Sequence, residues 1–290
     1  MPNHVKKQHS YIGLTQWQHA AWQQNMPKRS PSEHILKTYS RHFSSVEGNS
    51  TFYGLPKIDT VKRWVDEADK EFRFCFKFPQ QITHLNHLKS SEQETLAFLN
   101  RLAPLHEQLG LLCIQLPASF DEHNLQALSD FLIKIPKEFN YAVEVRNTCF
   151  FDKGETEKYF NQLLATYDIN RISFDTRGLF HDPSEDPISL KAKMHKPKLP
   201  VHAIATSKYP MVRFITPLDW ELGTDYLTPW INKAIHWMDE GKTPFFFFHT
   251  PDNAEAPELA AYFVNQLEKQ RPGSCLFNPW LPAKKQDNLF

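Results

Sequence analysis

Thr243-Pro-Phe-Phe-Phe-Phe-His-Thr250 sets four consecutive phenylalanines between a proline and a histidine. The run is far shorter than the ~20 apolar residues of a membrane span. Its length suits a strand buried on both faces, as in a parallel sheet. Seven runs of similar kind precede it, at 11–17, 44–50, 73–79, 110–117, 140–146, 170–176 and 210–216. Their mean spacing is about 33 residues, close to the roughly 30 residues of a βα unit.

The intervening segments carry helical periodicity. Residues 32–42 place Ile35, Leu36 and Tyr39 near i, i+3, i+4 spacing, with Phe43 just beyond. Asp59 is a predicted cap for a helix through Val61, Trp64, Val65 and Ala68. Ser91 and Glu94 read as a capping box opening the segment to Gln108. Segments 121–133, 154–167, 225–238 and 255–270 behave likewise. Eight alternating units without a break in composition predict one (β/α)8 barrel of the TIM type, α/β in class, over 1–270. Residues 271–290, rich in proline and lysine, are predicted to be an extended, solvated tail. Residues 177–208, with Pro183, Pro187, Pro197 and Pro200, read as a long loop after strand six.

Composition narrows the function classes. The 290 residues carry 33 Lys+Arg against 33 Asp+Glu, which excludes a strongly basic, histone-like nucleic-acid binder. An apolar share of 41% supports a large core. The start lacks the apolar stretch of a secretory signal. Cys75, Cys113, Cys149 and Cys275 form no C-x-x-C pair, and Cys75 and Cys113 lie in apolar runs. A reducing, cytoplasmic location is therefore expected. Only 9 residues are glycine, and the dinucleotide and P-loop fingerprints are absent. So are the helical metalloprotease and nucleophile-elbow motifs and any zinc spacing.

Barrel chemistry sits at the C-terminal ends of the strands, and side chains alternate in and out with period two. The rim expected on that basis holds Thr15 and Trp17, Glu47 and Asn49, Lys77, Gln115, Glu144 and Arg146, Asp175, Arg213 and His249. Buried polar groups are costly unless paired or used, so one per strand end points to a pocket. Individually, Thr15 and Gln115 also fit structural hydrogen-bonders. His249 also fits a satisfied barrel-wall histidine, and Glu144/Arg146 a structural ion pair.

Val46-Glu-Gly-Asn-Ser-Thr-Phe-Tyr53 resembles the second-strand signature of the YecE-like family, domain of unknown function 72. Ile12-Gly-Leu-Thr-Gln-Trp17 is similar to its first-strand block, with Gln16 at the family's glycine. Phe74-Cys-Phe-Lys-Phe-Pro79 with Ile82-Thr-His84, Gln115-Leu-Pro117 and Ala142-Val-Glu-Val-Arg146 match later blocks. The strand-eight ending, Phe248-His-Thr-Pro-Asp-Asn253, departs from the family's asparagine-rich pattern. The resemblance implies a barrel and no particular function.

Three readings follow from the rim. In the first, the protein is an enzyme for an anionic, phosphate- or sugar-like substrate. Arg146 and Arg213 clamp the anion, and Glu47, Glu144 and Asp175 with Lys77 or His84 supply acid–base groups. Trp17, Phe52 and Tyr53 offer flat walls; Asn49, Gln115 and His249 bind substrate. No cofactor is expected here. In the second, an endonuclease-IV-like or sugar-isomerase-like barrel holds a divalent metal on Glu47, Glu144, Asp175 and His249, with nucleic acid a candidate partner. In the third, the protein binds without catalysing. Direct or one-water contact between Lys77 and Glu47 is expected, so that Lys77→Met destabilises. Gln286-Asp-Asn-Leu-Phe290 resembles the bacterial sliding-clamp pentapeptide, with Gln286, Leu289 and Phe290 as its fixed letters. No membrane partner is expected.

Overall fold

A computed structural model describes residues 8–27, 30 and 33–280. Eight parallel strands close in sequence order into a barrel. They are β1 (Tyr11–Leu14), β2 (Ser45–Gly48), β3 (Arg73–Lys77), β4 (Leu109–Gln115), β5 (Tyr141–Glu144), β6 (Asn170–Asp175), β7 (Met211–Ile215) and β8 (Phe245–His249). The closing pair sets Tyr11 beside Phe245 and Leu14 beside Phe248. Around them run α1 (Ile35–Ser40), α2 (Ser50–Tyr53), α3 (Ile58–Glu67), α4 (Glu92–Leu102), α5 (Leu125–Lys134), α6 (Glu155–Thr166), α7 (Arg177–His181), α8 (Pro187–His195), α9 (Thr228–Asp239) and α10 (Ala256–Gln270). No helix among the described residues is long and apolar enough to cross a membrane.

Helix starts differ from the sequence reading. Asp59 lies inside the first turn of α3, after an N-cap at Lys57. Ser91 is the N-cap of α4, but its hydroxyl donates to Lys89 O instead of capping an amide. Residues 177–208 are not a bare loop; they contain α7 and α8.

The alternation of the strands divides the core in two. Outward residues meet the helices: Trp64 of α3 stacks on Phe76 at 5.2 Å, and Phe263 of α10 lies 4.7 Å from Phe246. Inward residues fill the lower lumen, where Cys75, Leu111, Cys113, Met211, Phe245 and Phe247 form a separate apolar plug. The two cysteines are free thiols. Burial pushes the Cys75 thiol up to about 12, so both cysteines serve as small hydrophobes.

Residues 271–280 contain no helix, as expected, but they are only partly solvated, and the segment is docked at Ser274 and Trp280. Ser10 N donates to Ser274 O at 2.6 Å, and Trp280 is buried with its ring 4.9 Å from Phe43. Burial of one indole seats this strap despite its two prolines. Gln286, Leu289 and Phe290 lie outside the described residues.

Gly13 permits the closure of β1 on its neighbours. A Cβ there would stand 2.3 Å from Ser45 O and 2.9 Å from the Phe247 ring. Gly13→Ala is expected to cost about 3 kcal/mol in urea unfolding, through overpacking against backbone. Gly54→Ala, where a Cβ would meet nothing within 4 Å, should change stability by less than about 0.5 kcal/mol.

Candidate functional site

Above the apolar plug the inward positions turn polar. Strand register sets Glu47 opposite Cys75, Gln115 opposite Glu144, and Arg213 between Phe174 and Phe247. Each is thus one pleat above, or level with, the top of the plug. Side chains from all eight strands or the turns just after them meet there, because a tilted parallel barrel gathers its strand ends at one mouth.

Arg213 is the hub of this tier. One terminal nitrogen donates to Glu47 Oε1, and the other pairs with Glu144 Oε2. All three residues are almost completely buried. Arg146 Nε closes the chain on Glu144 Oε1 at 2.7 Å. Two guanidinium groups therefore satisfy two carboxylates. A planar guanidinium suits this bridging because its donors diverge in a fixed fork.

Lys77 and Lys196 add two further cations to the same cleft. Lys77 has no ion-pair partner within 4 Å among the described residues, and its ammonium stands 5.9 Å from the Phe52 ring. Burial, reinforced by the charge of Arg213, lowers its pKa to about 7. Lys196 follows α8 and stands 5.8 Å from the Phe174 ring; burial lowers it too. Burial pulls Arg146 only to about 10, so it stays charged at neutral pH.

Two histidines complete the cleft. His84 is half-buried, and its Nδ1 shares a 2.9 Å hydrogen bond with Thr83 Oγ1. Burial, then Arg146 and Lys77, lowers it to about 4. His249 is buried; desolvation first, then Lys196 and Arg213, holds it well below the usual histidine range. Both are neutral at pH 7. Among the described residues lining this cleft, five buried polar atoms have neither a hydrogen-bond nor an ion-pair partner: Asn49 Oδ1, Gln115 Oε1, Arg213 Nε, His249 Nε2 and Asn253 Oδ1. Such atoms are rare in folded proteins, and here they gather at one cleft.

The cleft has a volume of ≈ 1590 Å³. Trp17, Asn49, Phe52, Tyr53, Lys77, His84, Gln115, Arg146, Arg213 and His249 line it with Glu47, so the structure brings these expected residues together. Trp17 and Trp64 meet edge to face at 5.6 Å on one wall, and Tyr53 stands exposed at the lip. Glu144 lies just beneath the lining, held by Arg146 and Arg213.

Asp175 does not join them. It accepts from Trp230 Nε1 at 2.8 Å and from Arg177 Nη2 at 2.7 Å, on the outer face of β6. The inward phase of that strand is Ile172 and Phe174, so the expected placement was one residue out of phase. The expected Lys77–Glu47 pair is also absent as an ion pair, because Arg213 occupies Glu47. The metal set Glu47, Glu144, Asp175 and His249 does not assemble for the same two reasons. Among the described residues no three His, Cys, Asp or Glu side chains stand close enough to hold a metal ion. Lys196 and Phe174 were missed. The strict apolar alternation of Ile172 and Phe174 could have shown the phase of β6, whereas nothing local marks Lys196.

The comparisons agree with this architecture. The family model described as "Protein of unknown function DUF72" matches residues 11–286. UPF0759 protein YecE of Escherichia coli (strain K12) is 40% identical over 262 residues, covering 90% of this chain and 94% of that protein. UPF0759 protein YunF of Bacillus subtilis (strain 168) is 32% identical over 117 residues, 38% of this chain and 41% of its own. The crystal structure of a DUF72 family protein from Thermotoga maritima superposes with a TM-score of 0.67 at 20% identity, covering 90% of this chain and 99% of that one.

Two outcomes are expected from the charged tier. Arg213→Met leaves Glu47 buried without its partner and Glu144 with Arg146 alone, and should cost about 3–5 kcal/mol in denaturant unfolding. Lys77→Met should do the opposite. Between about pH 7 and the ordinary lysine value of 10.5, the unfolded chain binds a proton that the folded chain does not, so stability rises with pH. Below 7 the cost of the buried ammonium is fully present. The Met variant should therefore exceed the parent by about 1–3 kcal/mol at pH 6. That gain should fade as pH approaches 10.5, read from urea midpoints across pH.

Proposed function

The chain belongs to the DUF72 family of proteins of unknown function, and from that premise we propose that its barrel mouth binds and chemically transforms a small organic anion. The reactive part of that ligand carries a phosphate or carboxylate, and its body is hydroxylated or flat. One observation carries the reading. Lys77, Arg146, Lys196 and Arg213 face the inner cleft, where Glu47 and, just beneath, Glu144 are already taken by Arg213 and Arg146; the other lining carboxylates, Glu33 and Glu67, are paired with Arg41 and with Arg63 and His34. The tier is short of negative charge, and an anion supplies it. The unpartnered acceptors Asn49 Oδ1 and Gln115 Oε1 suit donors such as ligand hydroxyls.

The chemistry assigned to each group follows from its charge state. Glu47 and Glu144, both engaged by guanidinium groups, orient Arg213. Lys77, with a pKa of about 7, gives and takes a proton at neutral pH, as an acid–base catalyst must. His84 and His249, neutral at that pH, offer hydrogen bonds without adding charge. Trp17 and Phe52 provide an apolar wall for the ligand body.

The test is a thermal-shift titration with inorganic phosphate and with glycerol phosphate, at constant ionic strength set by chloride. A saturable rise in Tm is expected, equivalent to roughly 2.7 kcal/mol at a hundred times Kd. Arg146→Gln and Lys196→Met should each weaken it at least about tenfold, the loss of one charged contact. A shift that chloride reproduces, or that both variants retain, overturns the reading.

A further inference from the structure

We propose that Lys77 is a covalent amine, which condenses with the carbonyl group of an anionic aldehyde or ketone to form an imine. This rests on the anion-binding reading above and names its substrate class.

The argument begins with what Lys77 lacks. The groups facing it come from several elements: Glu47 on β2, Cys113 on β4, Arg146 after β5 and Arg213 on β7, with His84 and the buried His249 alongside and Lys196 lining the same cleft. The carboxylate nearest in kind, Glu47, is held by Arg213, so Lys77 has no fixed negative partner. Cations and an aromatic face surround it, the Phe52 ring lying 5.9 Å from its nitrogen. A lysine desolvated beside other cations is the environment that yields a free amine at neutral pH. On the order of 10³ times more of it is unprotonated at pH 7 than of an ordinary lysine. Its backbone is fixed at the end of β3, where Thr51 Oγ1 donates to Lys77 O at 2.7 Å. A proton carrier alone could sit on a loop; a nucleophile needs a set position and an open approach from the cleft.

The step balances with one proton from solvent, the proton that Lys77 gave up to become the neutral amine. The amine attacks the carbonyl carbon and forms the C–N bond, and a proton passes from that nitrogen to the carbonyl oxygen. The carbinolamine hydroxyl takes up the solvent proton and leaves as water while the nitrogen lone pair closes the C=N bond. The product is a protonated imine, one water having left. Its positive charge replaces the ammonium that burial disfavoured, and the substrate's own phosphate or carboxylate sits against Arg146 and Lys196.

The full-length protein is incubated separately at pH 7 with pyridoxal phosphate and with glyoxylate, then reduced with borohydride, and intact mass and peptide mapping are read. One adduct per chain is expected, on Lys77, forming at least about tenfold faster than on any other lysine and slowed by inorganic phosphate. Lys77→Arg should lose it, and Lys158→Arg, at an exposed lysine of α6 outside the cleft, should keep it. No adduct with either carbonyl, adducts spread over surface lysines, or labelling that survives in Lys77→Arg overturns the proposal. The phosphate-dependent Tm rise is measured on the same samples. If it persists while trapping fails, the imine alone falls; if both fail, the anion-binding reading falls with it.

Discussion

Arg213 bridging Glu47 and Glu144 across the lumen is the contact on which the rest of the mouth depends. It ties β7 to β2 and β5, strands that do not neighbour one another in the sheet. A buried ion pair of this kind adds little net stability, since desolvation offsets most of the Coulomb gain. A lumen packed with leucine throughout would hold the barrel as well. What the bridge achieves is a polar tier that stays charged and open above an apolar plug. It also engages both carboxylates, so that among the described residues Lys77 has no ion-pair partner within 4 Å.

The segment after β6 is held in place with comparable care. Asp175, outside the lumen, accepts from the Arg177 backbone amide and side chain and from Trp230, and so fixes where α7 begins. Further on, His202 meets Glu157 of α6, which Arg171 of β6 also engages. Ser173 Oγ donates to His202 O, and Thr176 Oγ1 to Pro197 O. These polar groups on the outer face of β6 would be unsatisfied against an ordinary apolar helix. Covered by this segment they are paired, and the result is that Lys196 is carried over the mouth. A residue far from any strand thus becomes part of the charged tier.

The residues of the cleft were legible to different degrees. Glu47, Lys77, Arg146, Arg213 and His249 could be placed because β2, β3, β5, β7 and β8 each carry apolar residues on the opposite phase. Strand β6 misled because Arg171, Ser173 and Asp175 make its outer face polar, which inverts the usual pattern. Reading the apolar phase of Ile172 and Phe174 first would have corrected it. Glu47 and Lys77 were correctly set on adjoining strands, yet adjacency does not choose partners. A guanidinium reaching from the far side of the lumen won Glu47, being flat, forked and permanently charged. The strap at 271–280 was legible as non-helical and not as docked, since local composition carries no information about a vacant aromatic slot.

The sequence by itself determined the eight βα units, the parallel order and the end of the barrel at which polar groups collect. These follow from short-range periodicity, which is written residue by residue and survives any rearrangement of loops. Only the tertiary structure decided which charges neutralise one another, which lysine remains without a carboxylate, and which distant segment covers the mouth. Those outcomes depend on distances of a few ångströms between residues more than a hundred positions apart, as Glu47 and Arg213 are. Coulomb and desolvation energies change steeply over such distances, and no local pattern in the chain encodes them.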